Sequence, residues 1–157
     1  MGIQKVVSGG QTGVDRAALD AAQEQGIPTG GWCPQGRRAE DGSIPDRYPL
    51  KETPSSEYAQ RTEWNVRDSD GTVLITDGDL KGGTALTQQF ALDMSKPVLH
   101  VRTTDPVPVV MIQAWREDND VRVLNVAGPR ASEAPGIYHR ARTILDRLLV
   151  EERQPTT

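Results

Sequence analysis

Two short glycine-rich loops contain the residues of this sequence that are best suited to bind an anion. The first, SGGQTG at residues 8–13, follows the apolar run KVV, and the second, KGGT at residues 81–84, closely follows the run GTVLIT. Each loop precedes a segment that predicts a helix, and the N-terminus of a helix offers free N–H groups and a partial positive charge to an anion. One GG pair is equally well explained as a tight turn, but two in the same setting favour a phosphate or another oxyanion.

Neither loop matches a nucleotide-binding motif of known mechanism. No Lys-Ser or Lys-Thr pair follows the first loop, which excludes a P-loop, and GGQTG lacks the G-x-G-x-x-G spacing of the dinucleotide fingerprint. The loops are therefore predicted to hold a phosphate rather than to transfer one. Backbone amides and short hydroxyl or amide side chains make up the predicted binding residues: Ser8, Gly9, Gly10, Gln11, Thr12, Gly13, Gly82, Gly83 and Thr84.

Three arginines are candidates to bind the same anion. Arg16 lies in the first turn of the helix predicted after the first loop, beside Asp15, which we interpret as a complement to the helix dipole. Arg37 and Arg38 lie in a long polar segment, where they could form bidentate contacts with an oxyanion or simply belong to a solvated charged loop. The sequence leaves these two alternatives open.

The segment RTEWNVRDSD at residues 61–70 places Arg61, Asn65 and Asp68 on one face of a predicted helix. We interpret the two arginines and three acids of this segment as an ion-pair network that fixes the helix on the sheet, with a site role as the alternative. No pair of nucleophile and base is evident, and Cys33, the single cysteine, has no partner histidine placed beside it. No catalytic residue and no metal ligand is assigned.

Alternating strands and helices must position these residues. Strands are predicted at residues 5–8, within 26–32, and at 71–76, 97–101 and 121–126, and helices at about 15–25, 56–68, 84–94, within 105–120, and at 136–152. The segment at 33–55, rich in Pro, Gly and charge, reads as a long loop. This order predicts an α/β, three-layer fold with a mostly parallel sheet flanked by helices.

Length and charge limit the classes of function. The 157 residues, 36% hydrophobic and 25% charged, suit one domain, assigned to 1–152, with 153–157 as a flexible C-terminal tail. The net charge of −4 is spread along the chain, so no basic footprint for nucleic acid is predicted. No apolar run is long enough for a membrane span and no signal peptide is evident, which predicts a cytoplasmic protein.

The motifs SGGQTGVDRAALDAA, GIPTGGWCPQGRRAEDGSIPDRYPLKET, YAQRTEWNVRDSDGTVLI and KGGTALT resemble the putative molybdenum carrier family of the SLOG group of Rossmann-like proteins. The resemblance runs from residue 6 to about residue 101. It implies a Rossmann-like, SLOG-type fold, a homo-oligomer such as a dimer or tetramer, and a carrier that binds molybdenum cofactor, or a related phosphorylated pterin, as cargo for molybdoenzyme clients. By motif, the family's binding residues would be 9–13 and 82–84.

The LOG branch of the same group implies two alternative functions. Its members hydrolyse nucleoside monophosphates with a PGGxGTxxE loop, whereas residues 81–88 here, KGGTALTQ, lack the glutamate. A phosphoribohydrolase would need Glu40, Asp68 or Asp70 in its place. A nucleotide-binding sensor is the other alternative, so the resemblance favours a binding protein over an enzyme.

Overall fold

A five-stranded parallel sheet forms the centre of the structure, a computed structural model that describes residues 2–152. Met1 and residues 153–157, the predicted tail, lie outside the described residues. Each strand pairs in parallel with its neighbours in the sheet. In spatial order, the strands are β2 (Thr29–Gly30), β1 (Lys5–Val7), β9 (Val123–Ala127), β7 (Gly71–Thr76) and β8 (Val98–Arg102).

Helices cover both faces of this sheet. They are α1 (Val14–Glu24), α2 (Tyr58–Arg67), α3 (Gly82–Asp93), α4 (Pro108–Asp118) and α5 (Ile137–Glu152). The crossover from β1 to β2 and the crossover from β7 to β8 run in opposite directions across the sheet, so right-handed connections put α1 and α3 on opposite faces. Helix α5 packs against α1 and α4, and α2 packs against α3. The predicted three-layer α/β, Rossmann-like fold is confirmed.

Small side chains bring α1 close to the sheet. Ala17, Ala18, Ala21 and Ala22 are fully buried and belong to the main hydrophobic core. Helix α5 contributes an apolar stripe to the same core, with every predicted position buried: Ile137, Ala141, Ile144, Leu145 and Leu148. The predicted helical periodicity therefore identified the buried face of α5. No helix among residues 2–152 has both the length and the apolar character needed to cross a membrane.

The segment predicted as one long loop is instead a small packed unit. It contains β3 (Trp32–Cys33) paired with β6 (Lys51–Glu52), and β4 (Arg38–Ala39) paired with β5 (Gly42–Ser43). A second cluster of buried residues joins it to α1: Leu19, Cys33, Ala39, Ile44, Tyr48 and Leu50. Apolar residues spaced singly among charges gave no periodic signal, which is why the sequence pattern did not reveal these strands.

Arg37 holds this unit together. With a positive φ of 53°, it donates hydrogen bonds through its guanidinium to the carbonyls of Ile44, Leu50, Pro45 and Tyr48, at 2.8–3.3 Å. The adjacent Arg38 is more exposed and donates to the single carbonyl of Ser56 while lying 4.2 Å from the ring centroid of Tyr58. The two neighbouring arginines therefore differ in how many carbonyls depend on them.

We expect Arg37→Met to lower the free energy of unfolding by about 2 kcal/mol, because several carbonyls lose a charged donor at once. The matched variant Arg38→Met is expected to cost less than about 1 kcal/mol, since it breaks one exposed contact and one cation–π pair. Urea denaturation of both variants measures the difference. Equal losses would show that the carbonyl contacts of Arg37 contribute little.

Candidate functional site

A cavity of about 400 Å³ opens where the carboxyl ends of β1, β9 and β7 meet the helices α2 and α3. Ligands of α/β proteins commonly bind at this edge of a parallel sheet, and the volume lies within the usual range for small-molecule sites. The cavity is lined by Gly9, Gln11, Asp15, Tyr58, Ala59, Arg61, Thr62, Asn65, Gly82, Gly83, Thr84, Leu86, Thr87, Asn125, Val126, Ala127, Gly128, Pro129, Arg130 and Glu133.

The first glycine loop contributes two predicted residues to this lining, Gly9 and Gln11. Gly9 lies so close to α2 that a Cβ atom there would be 2.3 Å from Nη1 of Arg61. The side-chain oxygen of Gln11 accepts the N–H groups of Thr12 and Glu40, at 3.1 and 2.9 Å. The loop therefore contributes a closely packed backbone at Gly9 and a Gln11 side chain whose oxygen is already engaged.

The remaining predicted residues of this loop lie outside the cavity lining, where they determine the conformation of the loop. Ser8 is buried and donates to the carbonyl of Val126 at 2.8 Å. Gly10 and Gly13 have φ values of 79° and 83°, which L side chains rarely adopt. Thr12 donates to the carboxylate of Glu40. That these residues contact a ligand remains a prediction from the sequence.

The second glycine loop brings all three of its predicted residues to the cavity: Gly82, Gly83 and Thr84. Gly82 begins α3 with a φ of 48°, after Lys81 at the N-cap, which has no side-chain cap. Among the described residues, the N–H groups of Gly82 and Gly83 have no hydrogen-bond partner. The cavity thus receives two free donors and the positive end of a helix dipole.

Helix α2 contributes Arg61, a buried cation. Its side chain is 10% exposed, its Nη1 donates to the carbonyl of Gly9 at 2.8 Å, and the same atom lies 3.9 Å from Asp15. Asn65, one turn later, exchanges hydrogen bonds with the backbone of Trp32 at 2.7 and 3.0 Å. The predicted ion-pair network is not what the structure shows: Arg61 binds the first loop and Asn65 binds the backbone of Trp32, and both residues also line the cavity. The third predicted member, Asp68, lies outside the lining and accepts from Arg67 and Trp32.

Asp15 is also buried in the cavity wall. Burial raises the pKa of its carboxyl, and the opposing influences, led by the charge of Arg61 and the N–H of Gln11, do not cancel that rise. Its Oδ2 accepts the Gln11 N–H at 3.2 Å. The sequence predicted a dipole complement here, and the structure adds a carboxylate that faces the cavity.

A third loop, which the sequence analysis missed, closes the cavity after β9. Gly128 is packed so tightly that a Cβ atom would be 2.3 Å from the carbonyl oxygen of Ile75. Arg130 and Glu133 follow, joined by an ion pair of 2.8 Å, and Glu133 Oε2 would lie 3.9 Å from a Cβ at Gly82. A signal was present in AGPR at 127–130, since glycines also occur within a few residues after the strands that precede the other two loops.

Glu40 connects the third loop to the first. It accepts the Thr12 hydroxyl together with both the N–H and the hydroxyl of Ser132. Desolvation opposes ionisation, but these hydrogen bonds and the charge of Arg130 prevail and lower the pKa of Glu40. This carboxylate stays ionised and fixes the two loops relative to each other.

The other predicted arginines are engaged outside the cavity lining. Arg16 forms a bidentate pair with Asp41, at 2.6 and 2.8 Å, and donates from Nε to the carbonyl of Gly10. Arg37 and Arg38 bind the carbonyls described above. Neither alternative for Arg37 and Arg38 describes these contacts, because both guanidinium groups bind backbone carbonyls of the folded segment. Their contact with an oxyanion stays a prediction.

Charges in the cavity balance. Arg61 and Arg130 supply two cations, and Asp15 and Glu133 supply two anions. The acids considered for hydrolysis lie elsewhere: Glu40 between two loops, Asp68 at the end of α2, and Asp70 on the N–H groups of Arg122 and Val123, at the opposite end of the sheet. Residues 2–152 contain no group of three or more His, Cys, Asp and Glu placed to hold a metal ion.

Comparison with known proteins relates the chain to a protein family and to a solved structure. The model of the circularly permutated YpsA SLOG family matches residues 6–149. The chain is 48% identical to a putative molybdenum carrier protein from Syntrophus aciditrophicus SB, whose crystal structure at 1.45 Å agrees with this fold at a TM-score of 0.92, covering 94% of this chain and 96% of that chain. No curated protein gives a significant match.

Proposed function

The chain belongs to the circularly permutated YpsA SLOG family, and on that premise we propose that it is a carrier for a small molecule with one phosphate group. Molybdenum cofactor, or a related phosphorylated pterin, is the proposed cargo, for delivery to molybdoenzymes. The similar protein from Syntrophus aciditrophicus is named as a putative molybdenum carrier, which supports a molybdenum-related cargo. A homo-oligomer remains part of the proposal.

The observation that supports the proposal most strongly is the N-terminus of α3 in the cavity wall. Two unpaired N–H groups, the hydroxyl of Thr84 and the helix dipole together offer hydrogen-bond donors and positive potential to one phosphate. Arg61 and Arg130 add positive charge to the same cavity. Phosphate oxygens are recognised by this combination of amides and guanidinium groups.

The balanced charges favour one phosphate over a longer chain of phosphates. A triphosphate would bring several negative charges into a cavity where Asp15 and Glu133 already neutralise the two arginines. A phosphorylated pterin has one phosphate and a neutral, planar ring with hydrogen-bonding edges. It therefore suits both the anion site and the polar wall formed by Asp15 and Asn65.

We expect Gly83→Asp to weaken binding of a pterin monophosphate at least about tenfold, because its carboxylate competes for the helix N-terminus and repels the phosphate. A Cβ at Gly83 meets no atom within 4 Å and its φ is not positive, so the variant fits the fold. An acidic residue in the first turn of a helix also does not destabilise it. Isothermal titration with a pterin monophosphate and with purified molybdenum cofactor measures the loss.

Two variants control this experiment. Gly83→Ala adds only a methyl group, and Gly78→Asp adds the same charge at another glycine with open space, outside the cavity lining. Both are expected to bind within about twofold of the unmodified protein. If Gly83→Asp binds equally well, or if the unmodified protein shows no saturable binding, the proposed carrier function is wrong. Gly10 is unsuitable for such a test, since a Cβ there would be 2.6 Å from Leu50.

A further inference from the structure

The carboxylate of Asp15 is only 8% exposed, yet it forms part of the cavity wall. Its Oδ2 accepts the Gln11 N–H at 3.2 Å and lies 3.9 Å from Nη1 of Arg61. The hydroxyl of Ser8 also lies within reach of this carboxylate, but its single hydrogen is donated to the carbonyl of Val126 at 2.8 Å. Hydrogen-bonding capacity is therefore left on this carboxylate, which can accept through several lone pairs.

The hydrogen bond from Gln11 does not require a charge at this position, and the charge faces Arg61 without a direct contact. The Gln11 N–H needs one acceptor, which the amide oxygen of an asparagine would supply without the cost of burying an ion. The partner cation is at ion-pair distance without a direct hydrogen bond. The protein thus places an incompletely satisfied anion in a cavity whose other wall attracts anions.

We propose that Asp15 is a specificity-determining residue that accepts two adjacent hydrogen-bond donors from the neutral part of the ligand. This inference rests on the proposed function. It adds which chemical groups the ligand presents at the end distant from its phosphate. Two sources supply such a pair of donors: the N–H and NH₂ edge of a 2-amino-4-oxo-pyrimidine ring, as in pterin or guanine, and a vicinal diol. A planar carboxylate matches either pair in a bidentate contact.

The proposal predicts that removing the charge of Asp15 changes the binding affinity of two probes in opposite directions. Inorganic phosphate, which has no such neutral part, is only repelled by the negative charge of Asp15. A ligand with both ends gains from the carboxylate more than it loses. Asp15→Asn preserves the shape of the side chain and an acceptor for Gln11, so it separates these two contributions.

The experiment is isothermal titration of the unmodified protein and of Asp15→Asn with inorganic phosphate, a pterin monophosphate, GMP, IMP, which lacks the 2-amino group, and 2′,3′-dideoxy-GMP, which lacks the diol. In Asp15→Asn, we expect phosphate to bind as well or better, and the pterin monophosphate and GMP to bind at least about tenfold more weakly. In the unmodified protein, weaker binding of IMP identifies the ring edge, and weaker binding of the dideoxy analogue identifies the diol.

Glu133→Gln is the matched control, since it removes a carboxylate beside the α3 N-terminus instead. It is expected to strengthen binding of all five probes alike. Near-ultraviolet circular dichroism checks that both variants are folded.

If Asp15→Asn weakens phosphate and the larger ligands in equal proportion, or changes none of them, Asp15 is structural and the inference is wrong. If the unmodified protein binds no phosphorylated probe at all, the proposed function fails first, which is a different result.

Discussion

Arg61→Met is expected to weaken binding of a pterin monophosphate at least about 100-fold, because the cavity loses its most buried cation. A desolvated hydrogen bond between charged groups contributes about 3 kcal/mol, which corresponds to a factor of that size in the dissociation constant. The second arginine, Arg130, is 40% exposed and already paired with Glu133, so it does not compensate. Isothermal titration measures the loss.

The same substitution is expected to reduce stability by about 3 kcal/mol near neutral pH, since Asp15 loses its countercharge and Gly9 its donor. The pH dependence follows from the raised pKa of Asp15 in the folded protein. A raised folded pKa favours folding below the pKa of the unfolded chain, and this contribution is lost as the pH rises through the folded pKa. Removing Arg61 raises that pKa further, so the stability deficit should grow from acidic to neutral pH in urea denaturation.

Two further variants keep the Arg61 prediction specific. Arg61→Lys retains the charge without the planar fork and should bind with intermediate affinity. Arg67→Met removes an arginine that is 48% exposed at the end of the same helix, and should change stability by less than about 0.5 kcal/mol. Ligand affinity of Arg61→Met within threefold of the unmodified protein would exclude Arg61 from the anion site.

Among substitutions that add one methyl group in the candidate site, Gly128→Ala is expected to lower the free energy of unfolding most. Its Cβ would lie 2.3 Å from the carbonyl oxygen of Ile75 and 2.6 Å from Cγ2 of Val14, so β9, β7 or α1 must move. Overpacking of this kind costs about 3 kcal/mol, or roughly 10 °C in the melting temperature of a domain of this size. Chemical denaturation measures the change.

Gly78→Ala is the control for Gly128→Ala, because no atom lies within 4 Å of a Cβ at Gly78 and its φ is not positive. It is expected to leave stability within about 0.5 kcal/mol of the unmodified protein. If Gly128→Ala lowers the free energy of unfolding by less than about 1 kcal/mol, the backbone where β9 and β7 meet can move to accommodate a methyl group.

The sequence predicted the fold well because the central strands and α5 have strong, simple patterns. The strand at 71–76 is buried at every position and was predicted with the observed bounds, and the apolar stripe of α5 is unambiguous. The family resemblance drawn from the motifs is confirmed over residues 6–149. Segment 32–55 was harder, because its strands are two residues long and its core side chains are isolated in sequence.

The candidate site was predicted in part, for a physical reason. Gly82, Gly83 and Thr84 face the cavity because the start of a helix exposes its own backbone. Arg61 reaches the site because Gly9 has no side chain to block its guanidinium, which is a tertiary contact. Asp15 lines the site from the first turn of α1. Arg16 and Arg37 have the right chemistry for an oxyanion, but Asp41 and the backbone carbonyls of the folded segment engage them instead.

The position of β9 in the middle of the sheet also governs how this protein can assemble. Strand β1 pairs with β2 and β7 pairs with β8, and in this sheet only β9, the last strand in the chain, joins these two pairs. During synthesis, the pair β1–β2 and the pair β7–β8 cannot join into one sheet until about residue 127 has left the ribosome, because both pairs need β9. The three loops that form the cavity come together only when β9 pairs. The cavity therefore forms after this long-range strand pairing late in synthesis, and local helix formation alone cannot produce it.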